Sequence, residues 1–357
     1  MNIVNAGYKI IPEFKGDLAF TKKIESIARV CYKSEDLITE DSCIRMVNSL
    51  IKNRHYAMLE HSSLVLEVDI NSFNDTLSLI SNLQTGIYKK KKFLNFKSYL
   101  RFTKNLINDE KNRCIISGNI RAWIEFLQTC LESVGYIPNF VKCYFQTQEN
   151  NYSQTDTNIL FKDFLNAPSN YYMIMSEVDK CGVKRISDFS ELSVEERFIH
   201  QDLSVKFTSD LLIQRELVRH RDASFAGEST RYCNYSKDKF GNEITVIKSC
   251  FLEEDSEVYG EWKSGCEEAE KYYFSLLNEG LTAERARDEL PVATKCDTVV
   301  TANIREWIHI LELRALGTTG KPHPKMLEIM VPLAKELTTG LLSDFTCIDS
   351  VNKMFSL

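Results

Sequence analysis

The sequence predicts an α/β (α+β) fold, a central antiparallel or mixed sheet with flanking helices. Three observations carry this expectation. Segments with β-branched alternation recur at Ile3–Ile11, Ser63–Asp69 and Leu203–Phe207, and segments with apolar residues at helical spacing lie between and after them. The chain has 357 residues, of which 43% are hydrophobic and 11% aromatic, so it can fill one large or two moderate cores.

Taken in order, Ile3–Ile11 alternates as a first strand. Leu18–Tyr32 reads as a helix with Ala19, Ile24, Ile27, Ala28 and Cys31 inward. A second helix is expected over Asp41–Lys52, a turn over His55–His61, and a strand over Ser63–Asp69. The strand Leu203–Phe207 leads into a helix carrying Arg219. From Ser256 to Asn278, the residues Val258, Trp262, Cys266, Ala269, Tyr273 and Leu276 fall on one helical face, with Gly280 as the stop. Thr282 is placed to cap a short helix ending before Pro291, and Thr298–Thr301 is extended and delivers the chain into a helix starting at Asn303. An internal echo stands out: residues 119–127 match residues 303–311 at six of nine positions, both as helices, with Cys130 where the later copy has Arg314. The echo reads as structural.

Composition excludes several classes of function. The formal charge is −6, so a grip on an anion must come from a local cluster, which argues against a general nucleic-acid binder. The basic run Lys89–Lys92 beside aromatics reads as a solvated loop, as does the Asn/Gln/Thr-rich stretch Gln146–Asn158. Eleven cysteines are scattered without a Cys-x-x-Cys pair, which indicates neither a metal site nor a disulfide framework. No basic-then-apolar leader opens the chain and no apolar run is long enough for a bilayer, so the expected setting is the reducing cytoplasm, without a membrane partner.

The densest chemistry lies at Gln214–Tyr232. Leu212, Ile213, Leu217 and Val218 form a buried helical stripe, after which Arg219-His220-Arg221 is followed by seven residues and then Ser229-Thr230-Arg231-Tyr232. Guanidinium groups bind phosphate through forked hydrogen bonds, and hydroxyls with free backbone N–H groups complete such a cradle. Residue by residue, a solvated charged helix end would explain the pattern equally well.

The whole pattern resembles the signature of the flavin-dependent thymidylate synthases. Further similar segments occur in that family's order: His55-Tyr56-Ala57-Met58-Leu59-Glu60-His61 upstream, then Arg287 with Leu290-Pro291, and Asn303-Ile304-Arg305 through Arg314 downstream. The resemblance implies reductive methylation of dUMP to dTMP, with methylenetetrahydrofolate as carbon donor, reduced FAD as hydride source and NADPH as its reductant. It also implies a homo-oligomer, a tetramer with sites shared between subunits. Family members pass from the strand after His61 to the Arg-His-Arg helix within a short stretch, whereas about 130 residues intervene here. The expected organisation is therefore a core of residues 1–71 and 199–357, split by an insertion of residues 72–198.

Carried over residue by residue, the resemblance assigns Arg314 to promoting uracil ionisation. A guanidinium suits that task because it stays protonated and donates in a plane to the O2/N3 edge. His55, Ala57, Glu60, Arg219, His220, Arg221, Gly227, Asn303, Ile304, Arg305 and His309 map to FAD contacts. Glu216, Leu217, Val218, Arg219, Gly227, Glu228, Ser229, Thr230, Arg231, Arg287 and Arg314 map to dUMP contacts, with Arg231 and Arg287 as the phosphate clamps. On a continuous helix, Asn303 and Arg314 would share one face while Arg305 and His309 share another at i, i+4. No metal is implied. Ser229 is assigned to binding, and Cys233, outside the motif of the cysteine-dependent thymidylate synthases, to packing.

The sequence also departs from the family. Ala226 and Gly227 stand where many members have Asn or Ser and then Glu or Gln, Ala57 replaces a usual hydroxyl residue, and Glu216 replaces a common Gln. These leave open a related enzyme acting on another pyrimidine nucleotide, and an inactive homologue retained as a nucleotide- or nucleic-acid-binding module.

Overall fold

The alternation across Ile3–Ile11 resolves into two strands, β1 (Asn2–Val4) and β2 (Gly7–Ile11), that join different sheets. Asn5 and Ala6, neither a good strand former, mark the break. The computed structural model describes residues 1–16, 18–69, 100–104, 113–134 and 183–357; the Lys89–Lys92 run and the Gln146–Asn158 stretch lie outside them. Two compact units result, one of Met1–Pro12, Ile27–Leu37 and Leu203–Leu357, the other of Glu13–Ser26 and Ile38–Asp202.

In the second unit, α1 (Ala19–Val30) begins where expected, although its last residues count with the first unit. All five of its expected inward residues, from Ala19 to Cys31, are buried. Next come α2 (Ser42–Lys52) and a 3-10 turn at Tyr56–His61. The strands β3 (Ser63–Asp69), β4 (Leu100–Lys104), β5 (Arg113–Asn119) and β6 (Val183–Arg185) form an antiparallel sheet in the order β4-β5-β3-β6. Thus β3, on the core side of the expected boundary, pairs with strands on the insertion side. The helix α3 (Ile120–Val134) follows β5 directly, its first turn capped by Asn119, whose side-chain oxygen accepts from the Ala122 N–H at 2.8 Å. A short α4 (Val194–His200) opens with a capping box between Ser193 and Glu196 that the sequence reading did not use.

The first unit holds β7 (Asp202–Asp210), β8 (Ser224–Gly227) and β10 (Lys295–Asn303) with β2, in the order β2-β7-β10-β8, and a two-stranded parallel pair of β1 with β9 (Thr245–Ile247). Eight of the nine residues of β10 are buried, so it is a covered strand and far longer than the four residues expected to be extended. The helix α5 (Leu211–Leu217) follows β7, and α8 (Ile304–Leu311) follows β10. Trp307 of α8 is fully buried, packs on Phe207 with ring centroids 6.3 Å apart, and donates its indole N–H to the Leu203 carbonyl at 2.9 Å. Truncating such a residue to alanine costs about 3–5 kcal/mol.

A satellite core forms where α6 (Glu257–Asn278) sets Cys266 and Tyr273 against Cys233, Tyr235, Ile244 and Val246. Val258, expected inward, is 63% exposed, because the first turn of this helix projects past that cluster. Gly280 ends the helix region in the left-handed conformation (φ 92°), as a stop requires. The short α7 (Ala283–Ala286) starts at Thr282, but the hydroxyl of Thr282 makes no cap bond. The remaining helices are α9 (Pro324–Thr339) and α10 (Asp349–Met354). Among the described residues, no helix is long and apolar enough to cross a membrane, and no group of three or more His, Cys, Asp or Glu side chains could hold a metal ion.

Candidate functional site

The candidate site is built on the end of α5. Asp210, the last residue of β7, accepts the Ile213 N–H at 2.9 Å to start that helix, and its other carboxylate oxygen binds Lys325 of α9 at 2.6 Å. Both ionic side chains are buried, so removing either would strand a charge. The helix ends at Leu217, two residues before Arg219, so the expectation that Arg219 rides on it is corrected. The chain turns instead through Arg219 and His220, whose N–H groups reach back to the Glu216 and Leu217 carbonyls. This turn splits the Arg-His-Arg triplet: Arg219 and Arg221 are exposed, whereas His220 is only 6% exposed.

Arg314 arrives opposite the same turn. Asn303 caps α8 by accepting the Glu306 N–H at 3.0 Å, and the α-helix runs to Leu311. Glu312–Leu316 then forms a π-helical turn. That wider turn breaks the 3.6-residue register, so the face-sharing expected of Asn303 and Arg314 on one continuous α-helix does not apply. Here Arg314 donates from Nε to His220 Nε2 at 3.1 Å, from Nη1 to Glu216 Oε2 at 2.9 Å and from Nη2 to the Glu216 carbonyl at 3.2 Å. A guanidinium has five N–H groups. Those three bonds leave one free on each terminal nitrogen, a planar pair of donors held by the protein.

His220 is the acceptor in this cradle. Burial, with the positive charge of Arg314 nearby, pushes its pKa down to about 4. It is therefore neutral at physiological pH, with Nε2 bare toward Arg314 and the proton on Nδ1. The Nδ1 atom faces Glu306 at 3.8 Å, too long for a hydrogen bond and, with the ring neutral, not an ion pair. His309, 53% exposed, stands edge-on to His220 with ring centroids 6.3 Å apart.

The other expected contacts divide into free and engaged groups. Arg219, Arg221, Arg287 and Arg305 are exposed, and among the described residues none of the four makes an ion pair. Arg231 is exposed but pairs with Glu284 at 2.8 Å. Asn303 and Ile304 are buried, the first as a cap and the second in the core. Leu217 is buried and Val218 exposed. Gly227 lies on β8 under Gln214, and a Cβ there would collide with the Gln214 amide nitrogen. That site holds backbone and packing where many family members offer a side chain.

Glu228, expected at the nucleotide, is 5% exposed and committed elsewhere. Its carboxylate accepts from Lys295 at 2.9 Å and lies 3.6 Å from Lys33, in a cluster that also contains Asp297 and Thr208. Burial alone would raise the Asp297 carboxyl, but Lys295, Lys33 and the Thr208 hydroxyl hold it well below the usual carboxylate range. Ser229 and Thr230 are half-buried, and no base is bonded to the Ser229 hydroxyl among the described residues; its N–H binds the Cys31 carbonyl at 3.1 Å. Burial pushes the Cys233 thiol up to about 12, which suits packing and not nucleophilic attack.

In the second unit, His55 and Ala57 are exposed. Glu60 accepts a charged hydrogen bond from Arg121 Nη1 at 2.6 Å, and Arg121 Nε binds Glu125 at 2.8 Å. Sequence reasoning missed this pair, the Glu216–Arg314 pair and the Lys33–Glu228–Lys295–Asp297 cluster. Only the last had a local signal, the charged alternation Lys295-Cys296-Asp297 at the head of an apolar run.

A family model described as thymidylate synthase complementing protein matches residues 158–337, half of the chain. The chain belongs to this family. Among its curated relatives, the flavin-dependent thymidylate synthase of Pyrococcus abyssi (strain GE5 / Orsay) is 36% identical over 99 residues, 28% of this chain and 40% of the relative. That of Geobacter sulfurreducens is 36% identical over 99 residues, covering 28% and 41%, and that of Haloarcula marismortui 28% identical over 141 residues, covering 34% and 57%. The chain thus spans about 40% of the length of the first two of these relatives. A UMP/dUMP methylase from Streptomyces cacaoi, solved with 5-Br dUMP, aligns over 100% of this chain and 97% of its own at 14% identity, with a TM-score of 0.38. As a member of the thymidylate synthase complementing protein family, the chain places the matched region over β7, α5, the Arg-His-Arg turn, β10, α8 and the Arg314 turn.

Proposed function

We propose that this protein is a flavin-dependent thymidylate synthase, converting dUMP to dTMP with methylenetetrahydrofolate as carbon donor and NADPH as the final reductant, in the cytoplasm. The observation that carries the reading is the Arg314 cradle, in which three protein acceptors fix the guanidinium and leave two coplanar donors. The remaining terminal N–H groups lie in the guanidinium plane, as a donor to the O2/N3 edge of uracil requires, and a fixed positive charge stabilises that edge as N3 loses its proton. FAD, when bound, supplies the hydride.

The chain's own residues bind and orient. Arg219, Arg221, Arg287 and Arg305, exposed and without an ion pair among the described residues, suit the nucleotide phosphate and the flavin pyrophosphate. The Ser229 and Thr230 hydroxyls and the Glu216–Val218 main chain add neutral contacts. His220, neutral and bonded to Arg314, positions the guanidinium without adding charge. His55 and His309, both exposed, are assigned to the flavin side, and a homotetramer with sites shared between subunits would bring such surfaces into use.

Purified protein should carry yellow flavin absorbance and form dTMP from dUMP, methylenetetrahydrofolate and NADPH. Bound flavin with no dTMP overturns the reading. One observation favours a second substrate: the Glu216 carboxylate beside Arg314 offers an acceptor next to the donors, which fits the amino edge of a cytosine nucleotide. Mass spectrometry of products from dUMP and dCMP separates the two.

A further inference from the structure

The two sheets share more than a strand count. Setting Leu64 against Leu203 and Asn119 against Asn303 superposes the central strands of the two sheets, and each flanking antiparallel pair then has a counterpart in the same place of the strand order. In one sheet Leu66 faces Arg185, Glu67 faces Lys184 and Val68 faces Val183; in the other Val205 faces Ile10, Lys206 faces Lys9 and Phe207 faces Tyr8. On the other flank, Ser117 faces Arg101 and Ile116 faces Phe102, while Thr301 faces Ser224 and Val300 faces Phe225. Between the central strands, Val65 faces Ser117, and the Ser204 hydroxyl is bonded to that of Thr301 at 2.7 Å.

The side-chain framework repeats with it. Asn119 and Asn303 each cap the helix that follows. Trp123 and Trp307, four residues later, are both buried and donate to the Leu64 and Leu203 carbonyls at 3.2 and 2.9 Å. His61 and His200 are both fully buried, two residues before their strands. A chance nine-residue echo would not reproduce the strand order, the central pairing, a cap and a tryptophan-to-carbonyl bond.

We infer that the chain is a tandem duplication of one sheet-and-helix module, of which only the copy in the first unit is competent to bind a nucleotide. The second-unit copy has lost the binding chemistry at each corresponding place. Between β8 and β10 of the competent copy lie residues 228–294, with Ser229, Arg231 and Arg287; between β4 and β5 lie only residues 105–112. The stretch 70–99, which corresponds to the Arg-His-Arg segment, contains neither arginine nor histidine. Cys130 stands at the Arg314 position. Arg121, at the position of the exposed Arg305, is bound by Glu60 and Glu125, so its charge is neutralised within the copy. What reads from sequence as an insertion is on this account the remainder of the first copy and the start of the second.

The ligand in this inference rests on the proposed function. Titration calorimetry of the full chain with dUMP, after saturation with FAD, should give one dUMP per chain. Arg314→Ala should remove that binding and Arg121→Ala should leave its stoichiometry unchanged, with melting temperatures showing that both variants fold. Two dUMP per chain, or one surviving in Arg314→Ala, overturns the single-competent-copy inference while leaving the enzyme reading intact. One dUMP per chain with no dTMP formed upholds the inference and overturns the enzyme reading. No dUMP bound overturns both.

Discussion

Replacing Glu216 with glutamine, the residue the family resemblance expects there, tests how the charge of Arg314 is set. The Glu216 carboxylate lies 2.9 Å from Arg314 Nη1, and the two side chains are 20% and 18% exposed. Unit charges about 4 Å apart interact by about 4 kcal/mol at an effective dielectric near 20. Partial hydration and the hydrogen bond that glutamine retains reduce the difference to roughly 1–2 kcal/mol. That term opposes the task assigned to Arg314, because the carboxylate cancels the charge meant for a uracil anion. At about 1.4 kcal/mol per decade, Glu216→Gln should raise kcat/KM for dUMP roughly tenfold near neutral pH. It should also move the pH profile toward lower pH. The assay is initial-rate dTMP formation across pH, with a melting curve to show that the fold is unchanged. A tenfold fall in kcat/KM with an unchanged melting temperature would refute the reasoning and favour a substrate whose amino edge needs the carboxylate.

Further predictions rest on the same geometry. Arg314→Lys, which keeps charge but loses the planar fork, should lower kcat/KM for dUMP about a hundredfold in the same assay. His220 stays neutral in the folded protein down to about pH 4, whereas in the unfolded chain it protonates below about 6.5. The unfolded state therefore binds the extra proton between those values, and stability should be full above pH 6.5 and fall by about 3 kcal/mol toward pH 4. His220→Gln should flatten that part of a urea-unfolding series. Gly227→Ala should cost roughly 1–3 kcal/mol in urea unfolding, and adding Gln214→Ala should recover most of it, since the collision is with that side chain. Among the described cysteines, brief alkylation at pH 8 followed by peptide mass spectrometry should label Cys250 and Cys347, which are exposed, ahead of Cys31, Cys233 and Cys296, whose thiols burial pushes up to about 12.

Local periodicity was the most legible part of the fold. Ala19–Val30, Ser42–Lys52 and Ser63–Asp69 lie within a residue or two of where apolar spacing put them. The full length of β10 was not legible, since a strand covered on both faces shows no alternation. Neither was the break after β1, which depends on which sheet each half joins. In the site, the resemblance singled out Arg314 and His220, but their bond is a contact between residues 94 apart in sequence. The π turn that aims Arg314 has no signature in a 3.6-residue pattern. The partners of Glu228 and Glu60 were illegible for the same reason: each lies within a binding-type motif, while lysines or an arginine from distant strands and helices bond to its carboxylate.

The buried pair of Asp210 and Lys325 ties the start of α5 to α9, near the far end of the chain. Any shortening that removes α9 leaves an orphaned carboxylate beneath the helix that presents Glu216. Trimming the C-terminal region is therefore a perturbation of the candidate site, and an inert tail for fusions or tags must begin beyond it.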